Sequence, residues 1–487
     1  MSESFNLDAL KRSVLAQTQH PSKLLEMADL CVTLHREEEA IDLLLEGLHR
    51  KFSLDLILDS LRKIIQGRGN RFYMVSRVGP SLATLFETCH SGDMVFLESG
   101  FYEGPFVLKC PITLFGIPHS KTLIYSYTDT PFEIRNCLGG RIFGIQFEYW
   151  GTLKNTVACW VIQSSPNINH CEFSSKGLTG CEVKGRKSNP YFVENIFSRS
   201  LACGMNILEE AGGIYIKNSF IQNGMHGLSI KGKRTHPQLY QNCFEENSQL
   251  GIHILDQASG KICQNYFLRN KLHGLEIKEE ASPEIYQNYL KDNKELGIHI
   301  MDRGRARCYR NRLVHNGLHG IEVKGLGSWA EIRENYCGMN SESGILFQDH
   351  ASGIIHKNQI VKNVLNGIEI RGQRTIPQIT ENVVYGNRGR GIFVYQEAKP
   401  LVARNIVMKN QTGISGIEVD NYPKIGMPQL KHNCVFGNKE NYEMVTKGEG
   451  DICEDPQFIE PDKGDFRLNK TSPVQKLPPI SIEELPS

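Results

Sequence analysis

ICQNYFLRNKLHGLEIKEEASPEIYQNYLKDNKELG, residues 262–297, is the stretch that decides the fold. Within it Asn265 and Asn288 stand 23 residues apart, as do Asn270 and Asn293, and Gly274 and Gly297. Apolar residues keep the same interval, Ile262 with Ile285 and Phe267 with Leu290. Short runs such as Leu275-Glu276-Ile277 alternate apolar and polar side chains, which is the period of a strand and not of a helix.

Outward from this stretch the first Asn recurs at Asn195, Asn218, Asn242, Asn265, Asn288, Asn311, Asn335, Asn358, Asn382 and Asn405, always 23 or 24 residues apart, and again at Asn433. A second Asn column runs five residues behind it from Asn223 to Asn410, and a Gly column from Gly204 to Gly391 follows nine residues after the first. A repeat of this length holding three short strands is one coil of a solenoid. No coil can bury its inner face alone, so each must stack on the next. The fold class is therefore all-β, a right-handed single-stranded parallel β-helix with three strands per coil, preceded by a small α-helical segment. Stacking places equivalent residues about 4.8 Å apart. A primary amide carries both donor and acceptor, so piled Asn side chains are expected to bond along the axis and to satisfy turn backbone that has left the ladder. The Gly column is expected to supply backbone freedom at the turn into the next strand.

The ends differ in composition. Leu24, Leu25, Ala28, Ala40, Ile41, Leu44, Leu45, Leu48, Ile57, Leu58, Leu61 and Ile65 recur at helical spacing. Residues 1–70 are read as a helical segment with tetratricopeptide-like hairpin character, 71–91 as a linker or cap, 92–470 as the β-helix and 471–487 as a Pro-rich, extended tail. The opening MSESFNLDALKRSV has no apolar core of a signal peptide, and no run approaches the length of a membrane span. Lys and Arg number 55 against 54 acidic residues, a net charge of +1, so no bulk field favours nucleic acid. Fourteen cysteines include no CxxC. Several, such as Cys308 and Cys337, occupy apolar columns, which suits reduced buried thiols and a cytoplasmic location.

Gly92-Asp93-Met94-Val95-Phe96-Leu97, then Gly100, Tyr102, Gly104, Pro105, Pro111, Thr113, Leu114 and Gly116, resemble the opening of pectin-lyase-like β-helices. The coils resemble NosD-type and carbohydrate-binding/sugar-hydrolase repeats, and most closely the β-helix region of F-box proteins that carry one. The alternation of Pro237, Pro283 and Pro377 with Gly213, Gly260 and Gly353 is similar to theirs. The Shc-binding scaffold proteins of spindle and midbody carry a similar domain. The resemblance implies the fold and, through the F-box group, a substrate-recognition subunit of a ubiquitin ligase. The helical segment lacks the Leu-Pro-x-Glu start of an F-box.

Two residues past each Gly an outward-facing column reads Glu182, Asn206, Ser229, His253, Glu276, His299, Glu322, Leu346, Glu369 and Phe393. Two further on, alternate coils carry Lys184, Lys231, Lys278, Lys324 and Arg371. The stripe is read either as an ion-pair-laced surface or as a groove for an acidic peptide or anionic polymer. Its binding candidates are Glu276, Lys278, Glu322, Lys324, Glu369, Arg371, His253 and His299. His226, His273 and His319 precede the Gly on alternate coils, and members of one column two coils apart cannot share an ion, so no metal and no cofactor is expected. Asp256, Asp302 and Asp349 are likewise two coils apart, about 9.6 Å, the outer limit of inverting glycosidase geometry. Regular coils without a carboxylate cluster point to a non-enzymatic interaction scaffold whose protein partner is unspecified. The alternative is a carbohydrate-binding or polysaccharide-active protein, with Lys278 or Lys324 as the base of a lyase. Neither nucleic acid nor a membrane is an expected partner.

Overall fold

The computed structural model describes residues 21–76, 81–118, 120–416 and 427–478. The start of the expected helical segment (1–20) and the end of the Pro-rich tail (479–487) lie outside the described residues. By its contacts the chain divides into two compact units, Met1–Ser200 and Leu201–Ser487.

In the N-terminal unit three amphipathic helices, α1 (Pro21–Thr33), α2 (Glu37–His49) and α3 (Leu54–Gly67), precede the strands. Their buried Leu24, Leu44, Leu48, Leu61 and Ile65 share one core with Met94, Phe96, Phe115 and Phe143 of the sheet. The cover is pinned at its edge by Arg141, whose Nε donates to Asp42 Oδ1 at 2.6 Å and whose guanidinium also reaches Glu38. Phe72–Val75, inside the stretch read as linker, already pairs in parallel with Met94–Leu97. The β-structure therefore begins some twenty residues before 92, because Phe72 packs against the helical core. A short helix, α4 (Leu82–Thr88), sets Phe86 edge-on against Phe106 and Phe132. The strands that follow stack Phe147, Phe173 and Phe197 face to face down the interior.

The C-terminal unit is a right-handed parallel β-helix, each coil giving one strand to each of three sheets. One coil runs Glu284–Tyr286 in the first sheet, Tyr289–Lys291 in the second and Ile298–Ile300 in the third. Register is straight: Ile262 pairs with Ile285 and that with Cys308, Phe267 with Leu290 and that with Leu313. These residues are fully buried, so the repeated columns are the core.

The Asn ladders close the turns. Asn265 donates from Nδ2 to Asn288 Oδ1 at 3.1 Å and to the Leu239 carbonyl at 3.0 Å, and its backbone N–H donates to the same Asn288 Oδ1 at 2.9 Å. The second ladder repeats this from Asn223 onward, as at Asn293 to Asn316, 3.0 Å. The first ends on a carboxylate, Asn433 donating to Asp451 Oδ1. Left-handed backbone falls on the residue before each Asn, for example Gln264 (φ 56°), Arg269 (φ 53°) and Gln287 (φ 55°). The Gly column has a different reason from the one expected. A Cβ on Gly274 would stand 2.7 Å from the Gly297 carbonyl oxygen and 2.8 Å from Leu290 Cδ2, so it is close approach between coils that requires Gly there. At the far end Phe458–Glu460 and Asp465–Leu468 form an antiparallel pair. Phe458 and Val474 there join Ile406 and Cys434 in a small core, covering the last edge. Val474 lies in a 3₁₀ turn, Pro473–Lys476, within the stretch read as an extended tail.

Candidate functional site: the outer face of the third sheet

Third-sheet strands such as Ile252–Leu255, Leu275–Ile277, Ile298–Ile300 and Ile321–Lys324 turn every second residue inward. Ile252, Leu275, Ile298 and Ile321 are buried, and the residue between two inward ones faces out. Register pairs His253 with Glu276, Glu276 with His299 and His299 with Glu322, then Glu322 with Leu346, Leu346 with Glu369 and Glu369 with Phe393. The stripe of the sequence is thus a stripe in space.

Imidazole and carboxylate alternate along it. His253 Nε2 lies 3.3 Å from Glu276 Oε1, His299 Nδ1 lies 3.4 Å from Glu276 Oε2, and His299 Nε2 lies 3.8 Å from Glu322 Oε2. None of these contacts is aligned as a hydrogen bond, so both nitrogens of His299 and Nε2 of His253 are buried without a hydrogen-bond partner. Burial alone would raise the Glu276 carboxyl, but the flanking imidazoles of His253 and His299 hold it well below its ordinary value.

Sequence reasoning kept the His column before the Gly apart from this stripe, and the structure brings them together. His273 leans over Glu276, Nε2 to Oε2 3.8 Å, while its Nδ1 accepts the Leu296 N–H at 3.3 Å. His319, two coils on, repeats only the backbone contact: its Nδ1 accepts the Ser343 N–H at 3.1 Å, but its Nε2 lies 3.0 Å from Glu342 and not from Glu322 of the stripe. The signal was present as His-Gly-x-Glu at His273-Gly274-Leu275-Glu276; the same run at His319-Gly320-Ile321-Glu322 does not bring its ends into an ion pair. Burial pushes His226 and His273 down to about 4, helped by the neighbouring imidazoles of His253 and His299 respectively, so both rings are neutral at physiological pH.

The paired cations take different partners. Lys278 lies 3.8 Å from Glu276, Lys324 lies 3.8 Å from Asp349 instead of joining Glu322, and Arg371 donates from Nε to Gln348 at 2.7 Å. Glu369 is 7% exposed and accepts from Ser343 Oγ at 2.7 Å, Asn366 Nδ2 at 3.0 Å and Tyr395 OH at 2.8 Å. Asp256, Asp302 and Asp349 sit exposed at turns with left-handed backbone, and of the three Asp349 reaches the stripe, through Lys324.

Among the described residues two triads could hold a metal ion, His49, His170 and Glu194 in the N-terminal unit and His273, Glu276 and His299 on this stripe, the donor atoms of each lying within 4.8 Å of one another. The stripe triad draws on two columns, the one before the Gly and the outward one, which a turn brings together. Its weak corner is His273. With Nδ1 accepting from Leu296, the neutral ring carries its proton on Nε2, the nitrogen a metal would need. The triangle is better suited to proton transfer than to a metal. The buried cysteines are inert: burial pushes Cys171 and Cys308 up to about 12. No helix among the described residues is long and apolar enough to cross a membrane.

The family described as right handed beta helix region matches residues 151–290 and 273–425. No curated protein sequence matches the chain. Among solved structures, the periplasmic alginate epimerase AlgG is 13% identical with a TM-score of 0.35, covering 77% of this chain and 85% of that one. The A-module of the Azotobacter vinelandii mannuronan C-5 epimerase AlgE4 is 13% identical with a TM-score of 0.32, covering 74% and 91%. The catalytic unit of a thermostable GH87 α-1,3-glucanase from Streptomyces thermodiastaticus is 10% identical with a TM-score of 0.36, covering 82% and 66%. At these identities the likeness is one of fold. The solved structures found are named as polysaccharide-acting enzymes, the class of the alternative reading, and the main expectation, a non-enzymatic interaction scaffold, is not borne out by them. Neither the closeness to F-box β-helices nor the ubiquitin-ligase reading gains support from these matches.

Proposed function

The chain belongs to the right-handed β-helix family, and on that premise we propose that it is a polysaccharide-active protein working on the outer face of the third sheet. The observation that carries this reading is His299, a half-buried imidazole whose two ring nitrogens lack hydrogen bonds, set between Glu276 and Glu322 on the outward stripe. The chemistry that suits it is removal of a proton from a carbon next to a carboxylate, as in a uronic acid unit.

In that step one nitrogen of His299 shares its proton with a flanking Glu and the other takes the substrate proton. The electron pair left on carbon delocalises into the sugar carboxylate, which Lys278 and Lys324 neutralise from the neighbouring column. The pair then either takes a proton back or expels the sugar oxygen at the next carbon, which leaves with a proton. Hydrolysis fits less well. It needs one carboxylic acid kept protonated at working pH, whereas Glu276 and Glu369 are both held below their ordinary values.

The test is incubation of the full chain with alginate, polygalacturonate and a neutral glucan in deuterated buffer. Unsaturated ends or deuterium incorporation with a polyuronate is expected, falling by roughly 10²–10⁴-fold in His299→Ala. Polyuronates left unchanged, or turnover untouched by the substitution, would sink the reading.

A further inference from the structure

The first sheet of the C-terminal unit carries on its outside a trough of about 640 Å³ that the third-sheet chemistry leaves unused. It lies where the Pro/Gly alternation of the sequence falls. Gly260, Pro283 and Ala306 form its floor and send no long side chain outward. At Gly260 a Cβ would stand 2.6 Å from the Pro237 carbonyl oxygen, so the floor cannot be filled from that position.

The walls are cationic. Register pairs Lys261 with Glu284 and Glu284 with Arg307, so Lys261 and Arg307 stand two strand spacings apart, about 9.6 Å. Arg305 is paired with Trp329, whose ring is half-exposed at the trough's end. Among the described residues Lys261 and Arg305 form no ion pair, and Arg307 has Glu331 only at 3.6 Å. Scattered surface cations are ordinary. Here three line one concavity together with Trp329, one of the chain's three tryptophans.

We propose that this trough binds an acidic sugar chain, its carboxylate or sulfate groups set on Lys261, Arg305 and Arg307 and one sugar ring laid on Trp329. A guanidinium fork matches either anion in two-point fashion, and an indole face buries the apolar face of a pyranose. Glu284, between the two cations, accepts hydrogen bonds from sugar hydroxyls. An acidic peptide fits less well, because the strands Lys261–Cys263 and Glu284–Tyr286 are each paired on both sides and offer no edge for an added strand. The site stands on its own residues and needs no turnover at the third sheet.

The experiment is calorimetric titration of the full chain with an oligogalacturonate, a heparin-derived oligosaccharide, a neutral cello-oligosaccharide and a poly-Glu peptide. One or both acidic sugars are expected to bind, more weakly as salt rises. Arg305→Glu and Trp329→Ala should each lower affinity at least about tenfold, while His299→Ala keeps it. Arg305 is exposed, so its substitution leaves the coil intact and keeps the test sharp should Trp329→Ala misfold. Binding that ignores Arg305→Glu, poly-Glu binding as tightly as the sugars, or no acidic sugar binding at all would overturn the assignment. Loss of turnover in His299→Ala with binding intact would separate this site from the third-sheet reading.

Discussion

Glu276 and Glu369 occupy the same outward column four coils apart and are treated in opposite ways. Ser343, Asn366 and Tyr395 all donate to Glu369, and Arg371 lies 3.7 Å away. Around Glu276 stand three imidazoles and an ammonium at 3.3–3.8 Å, none aligned as a hydrogen bond. A buried polar group whose valences are filled locks structure, and taking away its partners is costly. One left unfilled keeps its capacity to exchange protons with a ligand. The contrast separates a carboxylate locked by neutral donors, at the Glu369 end, from one flanked by imidazoles without aligned hydrogen bonds, at the Glu276 end.

The largest effect that would break this contrast is acid lability. His226 and His273, both in the unfilled stretch, are held neutral down to about pH 4, against an ordinary value of 6.5. Between those two values the unfolded chain binds protons that the folded chain refuses, so stability falls as pH falls from about 6.5 to about 4. Each ring contributes up to about 3 kcal/mol to that loss. Denaturant midpoints measured across this range should drop steeply in the natural chain. They should flatten when both residues are changed to Gln, which can still accept the Leu296 N–H. A steep profile unaffected by the double substitution would place the lability elsewhere.

Next in size is the direct exchange of the two glutamates. Glu369→Ala strands three donors in a buried site and is expected to cost about 3 kcal/mol in denaturant unfolding. Glu276→Ala breaks no aligned hydrogen bond and is expected to cost less than Glu369→Ala. Equal costs would mean that Glu276 is as structural as Glu369.

How far this was legible in the sequence follows from what each column does. The Asn, apolar and outward stripes could be read because identical positions of a solenoid repeat the same contacts, so spacing alone reports them. The contact of His273 with Glu276 was missed because it joins two columns, one in the turn and one in the strand. Periodicity gives the order of columns and not the lean of a side chain over its neighbour. The Gly column was correctly located but wrongly explained: the strained backbone sits on Gln264, Arg269 and their equivalents, and Gly274 is needed for the nearness of the next coil. The start of the β-structure at Phe72 was hidden because Phe72–Val75 is a single strand whose partner lies beyond the intervening helix α4.

The smallest expected effect concerns the cations that part company. Lys278 stays beside Glu276, whereas Lys324 turns to Asp349, with side-chain exposures of 25% and 46%. If both neutralise a sugar carboxylate, Lys278→Ala and Lys324→Ala should each raise KM for a polyuronate by roughly two- to fivefold, an interaction of about 0.5–1 kcal/mol at a partly exposed site. The effect should shrink with added salt for Lys324 more than for Lys278, because the more exposed charge is the better screened. A fall in kcat at Lys278→Ala with KM unchanged would instead make Lys278 the base, and would move the proton-accepting role off His299.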